Sequence, residues 1–409
     1  MKIFAVMLLL ATELLAQNPI QHVVFIVKEN HSFDNIFGTF PGANGATVGL
    51  CGSKQVALTH SALAPPNLTH DWVPEHTGID NGKMDGFCQI SANYAPYIQY
   101  YQSDIPNYWR YAQQFALADN MFSSLAGASF GNHLYLAAAT SNEFVTNPKF
   151  PNGPDDTYWG CDAPSDTIAG RVPNPSKSQQ VKWVYPCMEA TTLSDLLDGA
   201  GLSWHYYAPS EGQAGYIWSV FDSVPHIRFG SEWTTNVTTP PNFITDVVQK
   251  KTLANFTWIS PEWGFSEHPK ASICTGENWT VAQVNAIMQS PFWKSTVIFI
   301  VWDDWGGYYD HVAPPNVDFF GLGIRVPMII ISPYVRAKTV VHTQYEFASV
   351  LKFAEKTFNL PQLTSRDKKA NDMMDAFNFS QSPLSPFILK SHKCPKAPAP
   401  SQEDLDDPD

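Results

Sequence analysis

His22-Val23-Val24-Phe25-Ile26-Val27-Lys28-Glu29-Asn30 runs through five consecutive β-branched and aromatic residues and ends in charge. An apolar run of that length without polar alternation reads as a strand buried on both faces, the environment inside a parallel sheet. Residues 256–259, 297–302 and 326–331 repeat the pattern. Helical periodicity falls between these runs, at 105–118 with Pro106 near its start, at 191–200, at 281–288 and at 346–358. Buried strands alternating with helices predict an α/β fold with a doubly wound, mostly parallel sheet. Residues 38–84 and 142–181 are rich in Pro, Gly, Asn and Asp and predict long loops or a small cap over that sheet.

Composition narrows the class. Of 409 residues, 13% are aromatic and 15% charged, against about 25% charged in an ordinary domain, which excludes a disordered or coiled-coil chain. The 32 prolines and 24 glycines exclude a helical bundle. A net charge of -13 opposes nucleic acid and anionic membrane surfaces. A phosphorylated substrate would need local positive charge from a metal, histidines or a helix N-terminus.

The first 17 residues, with Lys2 ahead of an apolar run broken by Glu13, read as a signal peptide too short to span a bilayer. The expected protein is therefore secreted, periplasmic or extracellular. It carries one catalytic domain over 18–394, with loop or cap insertions, and a disordered acidic tail over 395–409. Six cysteines, an even number in an exported chain, predict disulfides. Neighbour pairing gives Cys51 with Cys88 and Cys161 with Cys187. No Cys-x-x-Cys pair suggests structural zinc.

Polar residues gather where the apolar runs stop, the place where open α/β sheets bind ligands. Lys28-Glu29-Asn30-His31-Ser32-Phe33-Asp34-Asn35 follows the first run. Asp303-Asp304-Trp305-Gly306-Gly307-Tyr308-Tyr309-Asp310-His311 follows the third. Adjacent buried acids repel unless a cation resolves them. Glu29, Asn30, Asp303 and Asp304 form an oxygen-rich set for one divalent ion: Ca, Mg or Mn, with Zn or Fe tolerated. Ser129, before the apolar helix at 134–139, is either a helix cap or a nucleophile beside an anion held by helix N–H groups. A fourth cluster runs from Glu262 to Pro269.

These segments in order, with Met84-Asp85-Gly86-Phe87 and Gly323-Ile324-Arg325-Val326-Pro327, closely resemble the bacterial phosphoesterase family that contains acid phosphatase A and the non-hemolytic-type phospholipases C. The resemblance implies an alkaline-phosphatase-like, three-layer α/β/α sandwich. It implies Glu29, Asn30, Asp303 and Asp304 as metal ligands, and Ser129 as the nucleophile that also touches the metal. It implies His70, His268 and His311 around the phosphoryl group, and Asn132 and His133 at the substrate. The chain departs from the family at His31, where Arg is frequent, at Asn35, and at Gly127-Ala128-Ser129-Phe130-Gly131-Asn132-His133, where His133 replaces an arginine clamp.

The expected function is a metal-dependent phosphoesterase that hydrolyses phosphomonoesters through a phosphoserine, an acid phosphatase with an acidic to neutral optimum. The alternative is a phospholipase C acting on phosphatidylcholine-like diesters, ranked second because little chain follows Ser332 to hold further modules. A third reading is a non-catalytic exported protein that binds phosphate esters. A Ser-His-Asp hydrolase is weakly suggested by Gly127-Ala128-Ser129-Phe130-Gly131. Partners are a small phosphoester or phospholipid, with no nucleic acid and no stable membrane span. Trp72, Trp305, Tyr308 and Tyr309 read either as a choline cage or as core packing.

Overall fold

The computed structural model describes residues 18–150, 158–173 and 180–396, so the signal-peptide expectation and all but the first two residues of the acidic tail lie outside the described residues. Strand β1, His22–Lys28, is buried from Val23 onward, as its unbroken apolar run requires. The other strands of the central sheet are β2 (Ala116–Ala118), β3 (Trp204–Tyr207), β4 (Val237–Thr238), β5 (Phe256–Ile259), β6 (Thr296–Trp302), β7 (Met328–Ile331) and β8 (Thr339–Val341). Their spatial order is β4-β3-β5-β1-β6-β7-β2-β8. β1 lies parallel to both neighbours, with Val23 level with Phe256 on one side and Val297 on the other. Only β7 runs against its neighbours, antiparallel to β6 and β2.

The main helices are α1 (Pro106–Gln114), α2 (Ser129–Ala138), α3 (Leu193–Gly199), α4 (Ile273–Met288) and α5 (Phe347–Phe358). Alternation along β6 sorts them onto two faces. Phe299 meets Phe353 of α5 edge-on at 5.4 Å, whereas Trp302, three residues later and on the opposite face, meets Tyr108 of α1 at 5.4 Å. α2 packs against α5, and α1 against α4. The result is the expected three-layer α/β/α sandwich.

Several elements differ from expectation. The helix expected over 105–118 ends at Gln114. Phe115 leaves helical geometry (φ -111, ψ -121), and the next three residues pair with β7 instead. The last apolar run starts its strand at Met328, after Pro327, whose missing N–H cannot join a ladder. The helix expected over 281–288 begins earlier, at Ile273. Of the four aromatic residues near the site, Trp72 is half-buried and stacks on Phe319, and the other three are core. Trp305 packs edge-on against Phe87 at 5.6 Å, Tyr309 stacks on Tyr97 at 5.1 Å, and Tyr308 is fully buried. Three disulfides join Cys51 to Cys88, Cys161 to Cys187 and Cys274 to Cys394. No helix among the described residues is long and apolar enough to cross a membrane.

Candidate metal and phosphoryl site

Register builds the centre of the site. β1 and β6 pair with Lys28 opposite Trp302, so Glu29-Asn30 and Asp303-Asp304 leave the sheet side by side. The Asp303 N–H donates to the Lys28 carbonyl at 3.0 Å, and the Asn30 N–H donates to Asp303 Oδ1 at 3.0 Å. Asn30 adopts a left-handed backbone (φ 55), which Asn tolerates better than most residues. Gly306 is required beside it, because a Cβ there would lie 2.2 Å from the Asn30 carbonyl oxygen.

Ser129 is the first residue of α2. Its hydroxyl donates to Asp304 Oδ2 at 2.8 Å, and Asp304 Oδ1 accepts the Gly306 N–H at 2.8 Å. A hydroxyl has one proton to give, and here it goes to a carboxylate and not to the imidazole that a Ser-His-Asp hydrolase needs. His133 lies one helical turn after Ser129 and shares its face. Its Nε2 is 3.3 Å from Glu29 Oε1 and 3.5 Å from Asp303 Oδ2. Burial opposes charge on His133, but the Glu29 and Asp303 carboxylates outweigh it and push the imidazole up to about 10. Ligand atoms of Glu29, His133 and Asp303 all lie within 4.8 Å of one another, and all three residues are buried. Carboxylates with no exposure demand a cation: the protonated His133 ring can be that cation, and a divalent ion would take over the role by displacing its proton, with two acids and the neutral imidazole, next to Asp304 and Asn30, as a donor set that fits.

Two further histidines adjoin this centre, His70 through Asn30 and His268 through the ring of His70. His70 Nδ1 lies 2.6 Å from the Leu68 carbonyl, which can only accept, so Nδ1 carries the proton and Nε2 accepts from Asn30 Nδ2 at 2.8 Å. His268 donates in the same way from Nδ1 to the Pro269 carbonyl at 3.0 Å. Its ring is 6.2 Å from that of His70 and stacks on Trp218 at 5.9 Å.

The model of the Phosphoesterase family matches residues 20–361. The chain belongs to this family. It is similar to phospholipase C A of Mycobacterium tuberculosis, with 27% identity over 91% of this chain and 80% of the relative. It is also similar to non-specific phospholipase C1 of Arabidopsis thaliana, with 26% identity over 90% of this chain and 72% of the relative. Non-hemolytic phospholipase C of Pseudomonas aeruginosa is 25% identical over 94% of this chain and 60% of its own. Among solved structures, a protein of the alkaline phosphatase superfamily from Vibrio parahaemolyticus aligns with 12% identity and a TM-score of 0.41, over 88% of this chain and 70% of that one. The phosphoesterase is a hydrolase acting on phosphoric ester bonds.

Two expected site residues of the phosphoesterase have other places. Asn132 is spent on the loop ahead of Ser129. Its oxygen accepts the Leu125 N–H at 3.0 Å, and its nitrogen donates to the carbonyls of Leu125 at 3.2 Å and Gly127 at 3.1 Å. These bonds clamp the loop, where the sequence reading had Asn132 touching substrate. His311 turns to Asp34, which accepts from its Nδ1 at 2.6 Å and from its backbone N–H at 2.9 Å. That pair belongs to a network around fully buried Arg325, which donates to Asp310 through Nε at 2.9 Å and to Asp34 through Nη2 at 3.3 Å. The network ties together the segments after β1, after β6 and before β7. His133 also moves, from the substrate expectation to a position between two acids.

Sequence reasoning missed Lys28 and Glu267. The Lys28 ammonium lies 3.2 Å from Glu267 Oε1, and both side chains are fully buried. It missed Glu75 as well, a fully buried carboxyl that accepts the Ile324 N–H at 2.7 Å. Burial pushes Glu75 well above the usual carboxylate range, and Asp304 adds to the shift. Glu267 stood in the cluster from Glu262 to Pro269, but only its histidine was read.

Proposed function

We propose that this phosphoesterase is a phospholipase C that cleaves the glycerol-side P–O bond of a phosphatidylcholine-like diester. The observation that carries the chemistry is the Ser129 hydroxyl, held at 2.8 Å on Asp304 beside the Glu29, His133 and Asp303 cluster. The relatives support the diester substrate, since those named above are phospholipases C. They reverse the order in which the sequence ranked phosphatase and phospholipase.

A divalent ion held by Glu29, Asp303 and His133, with Asn30 and Asp304 alongside, would neutralise phosphoryl oxygens and lower the proton affinity of Ser129. Ser129 Oγ attacks phosphorus and passes its proton to the Asp304 side. The bond from phosphorus to the glycerol oxygen breaks, and His268, as imidazolium, gives that oxygen its proton from Nε2. Water then attacks phosphorus, gives a proton to His268 and releases the headgroup phosphate, while Ser129 recovers its own. His70 holds the Asn30 amide in place. The three disulfides suit an oxidising compartment, which supports secretion.

Incubation with dispersed phosphatidylcholine, followed by phosphorus NMR and lipid extraction, tests the reading. Phosphorylcholine and diacylglycerol in equal amounts are expected. Phosphatidic acid with free choline, or no reaction alongside rapid phosphate release from monoesters, would overturn it.

A further inference from the structure

Two segments far apart in sequence bring the reacting groups together. The end of β1 supplies Glu29 and Asn30, and the turn at 263–269 supplies His268. They are stitched at three levels. The Glu29 N–H donates to the Ser266 carbonyl at 2.9 Å. His31 Nε2 lies 2.9 Å from the Glu267 carbonyl oxygen. Between these, the Lys28 ammonium donates to the Phe265 carbonyl and lies 3.2 Å from Glu267 Oε1.

The carboxylate end is fixed as firmly as the ammonium end. Tyr108 donates its hydroxyl to Glu267 Oε1 at 2.5 Å, and Trp302 donates its indole N–H to Oε2 at 3.1 Å. Glu267 holds a left-handed backbone (φ 75), an uncommon state for a residue of its type. Gly276 makes room for it, since a Cβ there would lie 2.2 Å from Glu267 Cγ. Neither Lys28 nor Glu267 has any exposure. A buried ion pair is a poor source of stability, because desolvation offsets the attraction. One that spans the residues flanking Glu29 and His268 acts on their geometry.

We propose that the Lys28–Glu267 pair is a positioning device that sets the Glu29 carboxylate and the His268 ring in register across the reaction centre, with Tyr108 as its anchor. Neither residue touches substrate; each acts through its neighbour in the chain. The proposal rests on the phosphoesterase reading of the site. A displaced Glu29 weakens metal binding, and a displaced His268 slows departure of the leaving group without changing how substrate docks.

The test compares wild type with the charge-neutral double variant Lys28→Met/Glu267→Gln, which strands no buried charge and whose carboxamide oxygen can still accept the Trp302 N–H while its NH2 donates to the Tyr108 hydroxyl oxygen. A milder variant, Tyr108→Phe, removes only the anchor and serves if the double variant does not fold. Each is measured for thermal midpoint, for kcat and KM on p-nitrophenyl phosphorylcholine, and for Mn²⁺ affinity of the metal-free protein by electron paramagnetic resonance. In a folded variant, the proposal expects kcat to fall about tenfold or more with KM within twofold, or Mn²⁺ binding to weaken about fivefold. A folded variant with kcat and Mn²⁺ affinity both within twofold of wild type would overturn it. If wild type itself turns over no phosphoester, the functional reading fails, and the Mn²⁺ titration alone decides the pair.

Discussion

Replacing Asn132 with alanine separates a loop clamp from a substrate contact. The Asn132 side chain is fully buried and serves the backbone of residues 125–128, the loop that delivers Ser129 to Asp304. Without it, the Leu125 N–H loses its acceptor, which costs about 1–3 kcal/mol when no water replaces it, and the donations to Leu125 and Gly127 are worth about 0.5–1.5 kcal/mol each. The expected loss is about 3 kcal/mol. At about 2 °C per kcal/mol for a chain of this size, the thermal midpoint should fall by about 6 °C. The loosened loop also lets Ser129 wander from its 2.8 Å contact, so kcat should drop about tenfold while KM stays within a factor of two. Circular dichroism melting and steady-state kinetics on a chromogenic diester measure both. An unchanged midpoint with a tenfold rise in KM would refute the clamp and return Asn132 to the substrate.

Three other outcomes follow from the same geometry. Ser129→Ala should cut kcat at least about 1000-fold with the divalent ion still bound, measured by kinetics and metal analysis, because the attacking oxygen is gone. Between β3 and β4, burial pushes the Asp222 carboxyl up to about 9 and the neighbouring Asp162 adds to it, against the opposing Arg228. A folded value above the unfolded one, about 3.9, means the stability that Asp222 contributes is fully present below pH 4 and is lost as pH rises toward 9. Asp222→Asn should therefore flatten the decline of the thermal midpoint between pH 5 and 8, and an unchanged slope would contradict the assignment. The Cys274–Cys394 bond closes a separation of 120 residues. Replacing both cysteines by serine should lower unfolding free energy by about 3 kcal/mol in urea titrations, and a change under about 1 kcal/mol would contradict that.

The central strands were legible because burial on both faces leaves an unbroken apolar run, as in Val23 to Val27. β2 was not, because Ala116-Leu117-Ala118 carries no β-branched signal and continues the periodicity of α1. Its strand state comes from the ladder with β7, which sequence does not display. β3 and β8, at Trp204–Tyr207 and Thr339–Val341, were missed because each is short: β3 is aromatic throughout with no β-branched residue, and the three β-branched residues of β8 are too few to read as a run. Among the candidate residues, Glu29, Asn30, Asp303 and Asp304 drew notice because paired acids after buried strands are costly without a cation. Their convergence follows from one register, Lys28 opposite Trp302. The Lys28–Glu267 pair could not be read, since a lysine and a glutamate so distant in the chain carry no local mark of their meeting. His133 was read at the substrate because the arginine it replaces suggested phosphate, while its turn of helix sets it against Glu29 and Asp303.

The central claim is phosphodiester cleavage at the Ser129 centre, and the most direct measurement compares p-nitrophenyl phosphorylcholine with p-nitrophenyl phosphate, using one preparation from acidic to neutral pH with divalent metal present. A higher kcat/KM is expected for the phosphorylcholine diester. A higher kcat/KM for the monoester, or turnover of neither, would contradict it.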